Sequence, residues 1–346
     1  MTRRQILAVA AAAPTVFNTT PARANGAPLK NMGLAPTAVA LRSRADRQSF
    51  DMVEHAHSLG LGSTQTRLPS SDPEVVKKFR QKAEGYNLRT ILSAPLPKLE
   101  NEVAAYDVAV KAAKEAGAVA MHAALTGRRY EQYPTLEAFK LHFAQCQKMV
   151  GLAEPVLRKH QMKLAVENHK GWRAAEQAEW MKRVGSEYVR VCFDFGNNLA
   201  LCEDPMETFK ILEPFTIYCH MKDMGVANYD DGFLLSEVVF GDGIVDLRQM
   251  VETLQKRDPN IIFALEMITR DPLKIPVYKD AYWPTFDDPS SPLPGRDLAR
   301  VLDLVRKNPP KTPLPKMTGL SPADQVKAED DYNQKCIEYA RKNFRF

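Results

Sequence analysis

The chain predicts a single-domain (β/α)8 TIM barrel. Three observations carry that expectation. Short apolar or β-branched runs alternate with amphipathic stretches through eight successive βα units, the pattern of a parallel sheet wrapped in helices. The last four strand-like runs each close on an acid or an imidazole, as barrel strands do at the end that carries chemistry. The glycine fingerprint that a doubly wound dinucleotide-binding sheet places after its first strand is absent, so that alternating architecture is the weaker expectation. The 346 residues are ample for one such barrel.

In chain order, residues 1–24 read as a twin-arginine-type export signal. Arg3 and Arg4 form the basic pair, residues 6–17 a short apolar stretch, and Ala22-Arg23-Ala24 the small residues of a cleavage site. The stretch is too short to span a bilayer stably. A periplasmic location is therefore expected, for a protein exported already folded. Residues 25–310 form the expected barrel and 311–346 a C-terminal extension. Within the barrel, 37–41 (TAVAL) is expected as strand one and 46–59 as its helix. Strand two is 62–68, followed by a helix capped by Ser71 or Asp72 and running to about Gly85. Residues 88–93 and 101–116 make the third unit, 118–123 and 135–160 the fourth. Strand five ends at Glu167 with a helix over 174–184, and strand six at Asp194 with a helix over 205–212. Strand seven ends at His220, with a longer loop before the helix over 247–256. Strand eight ends at Glu266, with the last barrel helix over 295–307; a final helix is expected over 322–342. The segment 271–294 is a long Pro- and aromatic-rich loop. Tyr278, Tyr282, Trp283 and Phe286 offer either sugar-stacking surfaces or a self-packed cluster. Gly241-Asp242-Gly243 reads as a turn, with a phosphate cradle as the weaker alternative.

Composition removes several function classes. The formal net charge is +5, and the first 24 residues supply three arginines and no acid, leaving about +2 for the remainder. No nucleic-acid footprint and no stable membrane insertion is expected. Five cysteines without a close pair form no disulfide framework, and Cys192 and Cys219 read as small core residues. The partner expected is a small-molecule sugar; a homo-oligomer is compatible with the sequence.

The strand ends carry the chemistry. Alternation along a strand sets Glu167 on one face with Ala165 and His169, Asp194 with Cys192, and His220 with Tyr218 and Lys222. If the strands are barrel neighbours, Glu167, Asp194, His220 and Glu266 converge on one divalent metal ion. Three carboxylates and one imidazole suit Mn²⁺ or Mg²⁺, with Co²⁺, Fe²⁺ and Zn²⁺ also compatible. Such an ion polarises a sugar carbonyl and stabilises an enediolate, with Glu167 and Glu266 as the acid/base pair. His122, Asn168, His169, Asn197, Lys222 and Asp223 are expected around the substrate. Arg42 and Arg67, at the expected ends of strands one and two, reach for its oxygens.

With these residues in view, the chain resembles the sugar phosphate isomerase/epimerase family of xylose isomerase-like TIM barrels, over roughly 37–307. The motifs are ENH at 167–169, FDFGN at 193–197, HMKD at 220–223, GDGIVDL at 241–247 and the ALE that ends at Glu266. The resemblance implies the same four metal ligands and, in the ketose 3-epimerase branch, the same two glutamates as acid and base. That branch has a histidine where this chain has Asn197 and an arginine where it has Val226; both contact substrate there. The family also includes inosose dehydratases, endonuclease IV and enzymes that eliminate the aglycone from 3-keto-glycosides. Endonuclease IV needs a histidine set that seven scattered histidines do not supply. The leading expectation is a metal-dependent sugar or polyol isomerase/epimerase. The alternatives are a lyase or hydrolase on 3-keto-glycosides and a periplasmic sugar-binding protein without turnover.

Overall fold

Eight short parallel strands, covered on both faces, make the main sheet of the computed structural model, which describes residues 27–346. The chain runs β1 (Met32–Leu34), α1 (Ala40–Asp46), α2 (Met52–Ser58), β2 (Ser63–Thr66), α3 (Pro73–Gly85), β3 (Arg89–Leu92), α4 (Val103–Glu115) and β4 (Ala120–Ala123). It continues through α5 (Arg129–Gln132), α6 (Leu136–Lys159), β5 (Leu164–Glu167), α7 (Ala174–Val184), β6 (Val189–Asp194), α8 (Pro205–Leu212) and β7 (Thr216–Met221). The last part holds β8 (Asp223–Tyr229), β9 (Gly232–Val238), α9 (Leu247–Arg257), β10 (Phe263–Leu265), β11 (Leu273–Ile275), α10 (Gly295–Lys307) and α11 (Pro322–Asn343).

The order around the sheet is β1-β10-β7-β6-β5-β4-β3-β2. The two end strands meet through a parallel bridge between Leu29 and Leu61, so the ring is nearly closed. Closure brings backbone against backbone: a Cβ at Gly62 would stand 2.5 Å from the Lys30 carbonyl oxygen. Alternation divides the strands into two layers. Ala165, Cys192, Tyr218 and Ala264 fill the barrel interior, each two residues before one of the acids or the imidazole expected at the mouth. Their neighbours, including Val166, Phe193, Cys219 and Leu265, face outward into the helix layer. Three of these four are small, and Tyr218 fills the space they leave below the polar groups that follow.

The expected first strand is not a strand. Residues 36–39 form a 3-10 turn with Pro36 at its start, and α1 follows directly. The sheet's first strand lies earlier, at Met32–Leu34, ahead of the expected one. A short apolar run such as AVAL has no periodicity that separates strand from helix, and proline at a helix start settles it locally. The expected helix over 46–59 is shorter, beginning after Asp51, whose carboxylate accepts the amides of Val53 and Glu54. A three-stranded antiparallel sheet, β11-β9-β8, was not expected at all. It rises from the barrel mouth between β7 and α9 and takes in the start of the 271–294 loop. That loop is packed on its own aromatics: Tyr282 and Phe286 are buried, their rings stacked 5.0 Å apart.

The segment expected as a C-terminal extension carries α11, which lies against α1. Val39, at the N-cap of α1, has no side chain able to cap it. The buried Glu329 of α11 supplies the cap from outside, accepting the amides of Leu41 and Arg42 at 2.8 Å each. Asn333 adds a 2.7 Å bond to the Ala38 carbonyl. Arg42 is thereby drawn away from the barrel mouth, its guanidinium bonded to Asp330. Residues 1–26, with the expected export signal, lie outside the described residues. Among the described residues no helix is long and apolar enough to cross a membrane.

Glu329→Ala strands two helix-start amides, so it is expected to lower unfolding free energy by about 2–4 kcal/mol in chemical denaturation. Arg42→Ala removes only a part-exposed ion pair and is expected to cost under about 1 kcal/mol in the same measurement.

Candidate metal centre

The carboxyl ends of β5, β6, β7 and β10 stand side by side, and each delivers one side chain to a common point. Glu167, Asp194, His220 and Glu266 are all buried, and each offers a ligand atom within 4.8 Å of the others'. Parallel register explains the meeting: Asp194 pairs with His220 across β6 and β7, and Ala264 with His220 across β7 and β10. The donors are hard oxygens with one imidazole nitrogen, a set that suits a divalent cation. Asp194 Oδ2, His220 Nδ1 and Glu266 Oε2 are buried without a well-directed hydrogen-bond partner. Among the described residues, Asp194 Oδ2 and Glu266 Oε2 are met only by the Lys222 ammonium, and His220 Nδ1 faces Glu167 and Glu266 at 3.5 and 3.4 Å. Three carboxylates thus crowd one buried point, a donor set that fits a metal ion.

A second cation already stands there. The Lys222 ammonium lies 2.7 Å from Asp194 Oδ2 and 2.5 Å from Glu266 Oε2. It sits two residues beyond His220 on the same face, as alternation requires. Charge balance sets the ionisation of the group. Burial pushes the Asp194 carboxyl up to about 7, against the pull of Lys222. Burial raises Glu266 and Glu167 too, but Lys222 with His220, and His220 with His122, hold them well below the usual carboxylate range. His220 is lowered by burial yet raised on balance to about 10 by Glu266 and Glu167.

The surrounding hydrogen bonds fix each ligand's direction. His122 Nε2 lies 3.0 Å from Glu167 Oε2, and Asn197 Nδ2 donates to Glu167 Oε1 at 3.0 Å. Thr37 Oγ1 donates to Glu266 Oε1 at 2.7 Å. Gln65, on β2, ties the imidazoles together. Its Oε1 accepts from Tyr218 and lies 2.7 Å from His220 Nε2, while its Nε2 stands 3.0 Å from His122 Nδ1. With Nε2 engaged there, His220 presents Nδ1 to the centre. Gln65 and Thr37 were not singled out from the sequence. The signal for Gln65 was its parity with Arg67 on strand two; Thr37 was hidden by the misplacement of strand one.

Above the ligands opens a cavity of about 1000 Å³, lined among others by His122, Glu167, His169, His220, Lys222, Glu266 and Arg67. Four expected substrate contacts lie elsewhere. Asn197 is buried behind the lining, bonded to Glu167 and Lys170. Arg42 is on α1, bonded to Asp330. Asn168 points away from the cavity; its amide donates to the Asp194 carbonyl at 2.9 Å and to Asn198, and its oxygen accepts the Asp194 amide. It joins β5 to β6 instead. Asp223 accepts the amides of Met224, Gly241, Gly243 and Val245, so it shapes the loop after β9. Those amides are spent on Asp223 and are not free for a phosphate. A Cβ at Gly243 would stand 2.0 Å from the Asp223 carboxylate, which is why glycine is needed there. Nor do the loop aromatics Tyr278, Tyr282, Trp283 and Phe286 line the cavity.

Residues 44–284 match the family model described as xylose isomerase-like TIM barrel. Among solved structures, a D-psicose 3-epimerase in the presence of D-fructose superposes with a TM-score of 0.54 at 10% identity, covering 91% of this chain and 100% of that one. A xylose isomerase domain protein from Planctomyces limnophilus gives 0.51 at 15% identity, covering 81% and 96%. At such identities these likenesses show the fold alone. A curated 3-oxo-isoapionate decarboxylase from Pectobacterium atrosepticum is 23% identical over 109 residues, 31% of this chain. The match spans 40% of that relative's own length.

Asp194→Asn removes one hard anionic donor, and is expected to weaken Mn²⁺ binding by about 10- to 100-fold in calorimetric titration of the metal-stripped protein. Gln65→Leu leaves the ligands in place but frees the two imidazoles, and is expected to weaken it by about tenfold.

Proposed function

The chain belongs to the xylose isomerase-like TIM-barrel family, and from that premise we propose that it is a divalent-metal-dependent isomerase or epimerase of a sugar or polyol. One observation carries the reading: four buried donors from four neighbouring strands aim at one point on the floor of a sugar-sized cavity. Glu167, Asp194, His220 and Glu266 would hold the ion. When bound, it would polarise a substrate carbonyl and acidify the adjacent C–H.

The chain's own groups supply the proton handling. Glu167 and Glu266 stand on β5 and β10, three strands apart around the ring, and both line the cavity. Each is held ionised, so each starts as a base. His122 and Asn197 clamp the two oxygens of Glu167, which fixes the direction from which it takes a proton. Thr37 does the same for one oxygen of Glu266. The Lys222 ammonium, already against Asp194 and Glu266, offsets the negative charge that develops on the substrate once the proton leaves. The export signal expected over 1–24 belongs to this proposal, with the substrate met in the periplasm.

A second reading, elimination from a 3-keto-glycoside, is favoured by two positions. Asn197 is spent on Glu167 and Lys170, and Val226 is buried in β8, where the resembling ketose 3-epimerases have a substrate-contacting histidine and arginine. The partial likeness to a decarboxylase, over 31% of this chain, points toward cleavage of a substrate bond and not isomerisation alone.

Incubation of Mn²⁺-loaded protein with free ketoses and with a 3-keto-glucoside, followed by NMR, tests the choice. An isomer or epimer is the expected product; release of aglycone supports the second reading, and binding without turnover would make the protein a sugar-binding one. Glu167→Gln and Glu266→Gln are each expected to lower kcat by about 10²–10⁴-fold with bound metal measured in parallel.

A further inference from the structure

The cavity carries more positive charge than the metal centre uses. Glu167, Asp194 and Glu266 bring three negative charges, which a divalent ion and the Lys222 ammonium would together cancel. Arg128 is paired with Glu131, and Arg270 with Glu237. Three further cations of the lining, Arg67, Lys98 and Lys170, have no carboxylate within ion-pair distance among the described residues. Arg67 and Lys98 are exposed at the rim. Lys170 is different: it is buried, and its ammonium bonds the side-chain oxygen of Asn197, the residue that also holds Glu167.

A buried ammonium without an ion-pair partner is costly, because the more distant Glu237 and Asp194 carboxylates offset its desolvation only in part. Burial, together with the nearby Lys222 charge, pulls Lys170 down to about 8. His169, next in the chain, adds a buried Nδ1 with no partner and lines the same cavity. A neutral polyol could satisfy His169 but would leave the Lys170 charge uncompensated; an oxyanion would pair with it.

We infer that the substrate is an anionic sugar, its carbonyl end on the metal centre and a carboxylate or phosphate held by Lys170, with Arg67 and Lys98 at the rim. The inference rests on the site reading proposed above, and adds to it the charge of the substrate. Lys170 is assigned as a specificity-determining residue, since it reaches the anion and not the reacting carbon.

The test compares three probes on the Mn²⁺-loaded full chain at low salt: D-gluconate, D-glucitol 6-phosphate and neutral D-glucitol. At least one anion is expected to bind about tenfold or more tightly than glucitol. The tighter of the two anions identifies carboxylate or phosphate. In Lys170→Met and in Arg67→Gln that preference is expected to fall several-fold, with bound metal per chain unchanged. Equal binding of glucitol and both anions, no binding of either anion to metal-loaded protein, or a preference that survives both variants would overturn the inference. Arg67 is exposed, so its variant reports even if Lys170→Met does not fold. Failure of the metal-centre reading shows separately, as absence of bound metal before any probe is added.

Discussion

Three carboxylates cannot share a buried barrel mouth unless positive charge stands among them. Two like charges about 4 Å apart repel by about 4 kcal/mol even at an effective dielectric of 20. Glu167, Asp194 and Glu266 meet within that range. The chain answers with His220 near the end of β7 and Lys222 just past it, set two residues apart so that both point inward. Burial, with Glu266 and Glu167 beside it, pushes the Asp194 carboxyl up to about 7 against the pull of Lys222. The rest of the site is arranged around that imbalance: Gln65, His122, Asn197 and Thr37 hold the donors in place so that they cannot relax apart.

The four strand ends were legible because their signal is local. Each is a short apolar run closed by one acid or imidazole, and the residues two positions earlier, small at three of the four, mark the inward face. The same logic placed Lys222 beside His220, though it did not disclose that the ammonium would lie on carboxylates. Asn168 was legible in direction but not in role: alternation turns it outward, and only the neighbouring strand shows that it bonds Asp194. Asp223 has the spacing of a site residue, yet three backbone amides from a loop up to twenty-two residues later claim it, with that of Met224. Long-range partners of this kind leave no trace in local pattern. Strand one failed for a different reason, since three residues of MGL carry too little periodicity to outweigh the apolar run that follows.

The β8–β9–β11 sheet shows a further limit. Residues 223–229 and 232–238 alternate well enough to form a hairpin, but a barrel reading leaves no place for it between strand seven and its helix. Built on top of the barrel, it brings Glu237 beneath Arg270 and near Lys222, so an inserted element feeds charge back into the centre. The long aromatic loop then packs against itself, with Tyr282 also bonded to the Ala200 carbonyl, and stands outside the cavity.

The cap that α11 gives to α1 has a consequence for biosynthesis. The helix that opens the barrel and the side chain that finishes it are separated by nearly the whole polypeptide. During synthesis α1 stays uncapped until α11 has been made and can fold back onto it. Loss of α11 would therefore leave an otherwise paired barrel frayed at its first helix.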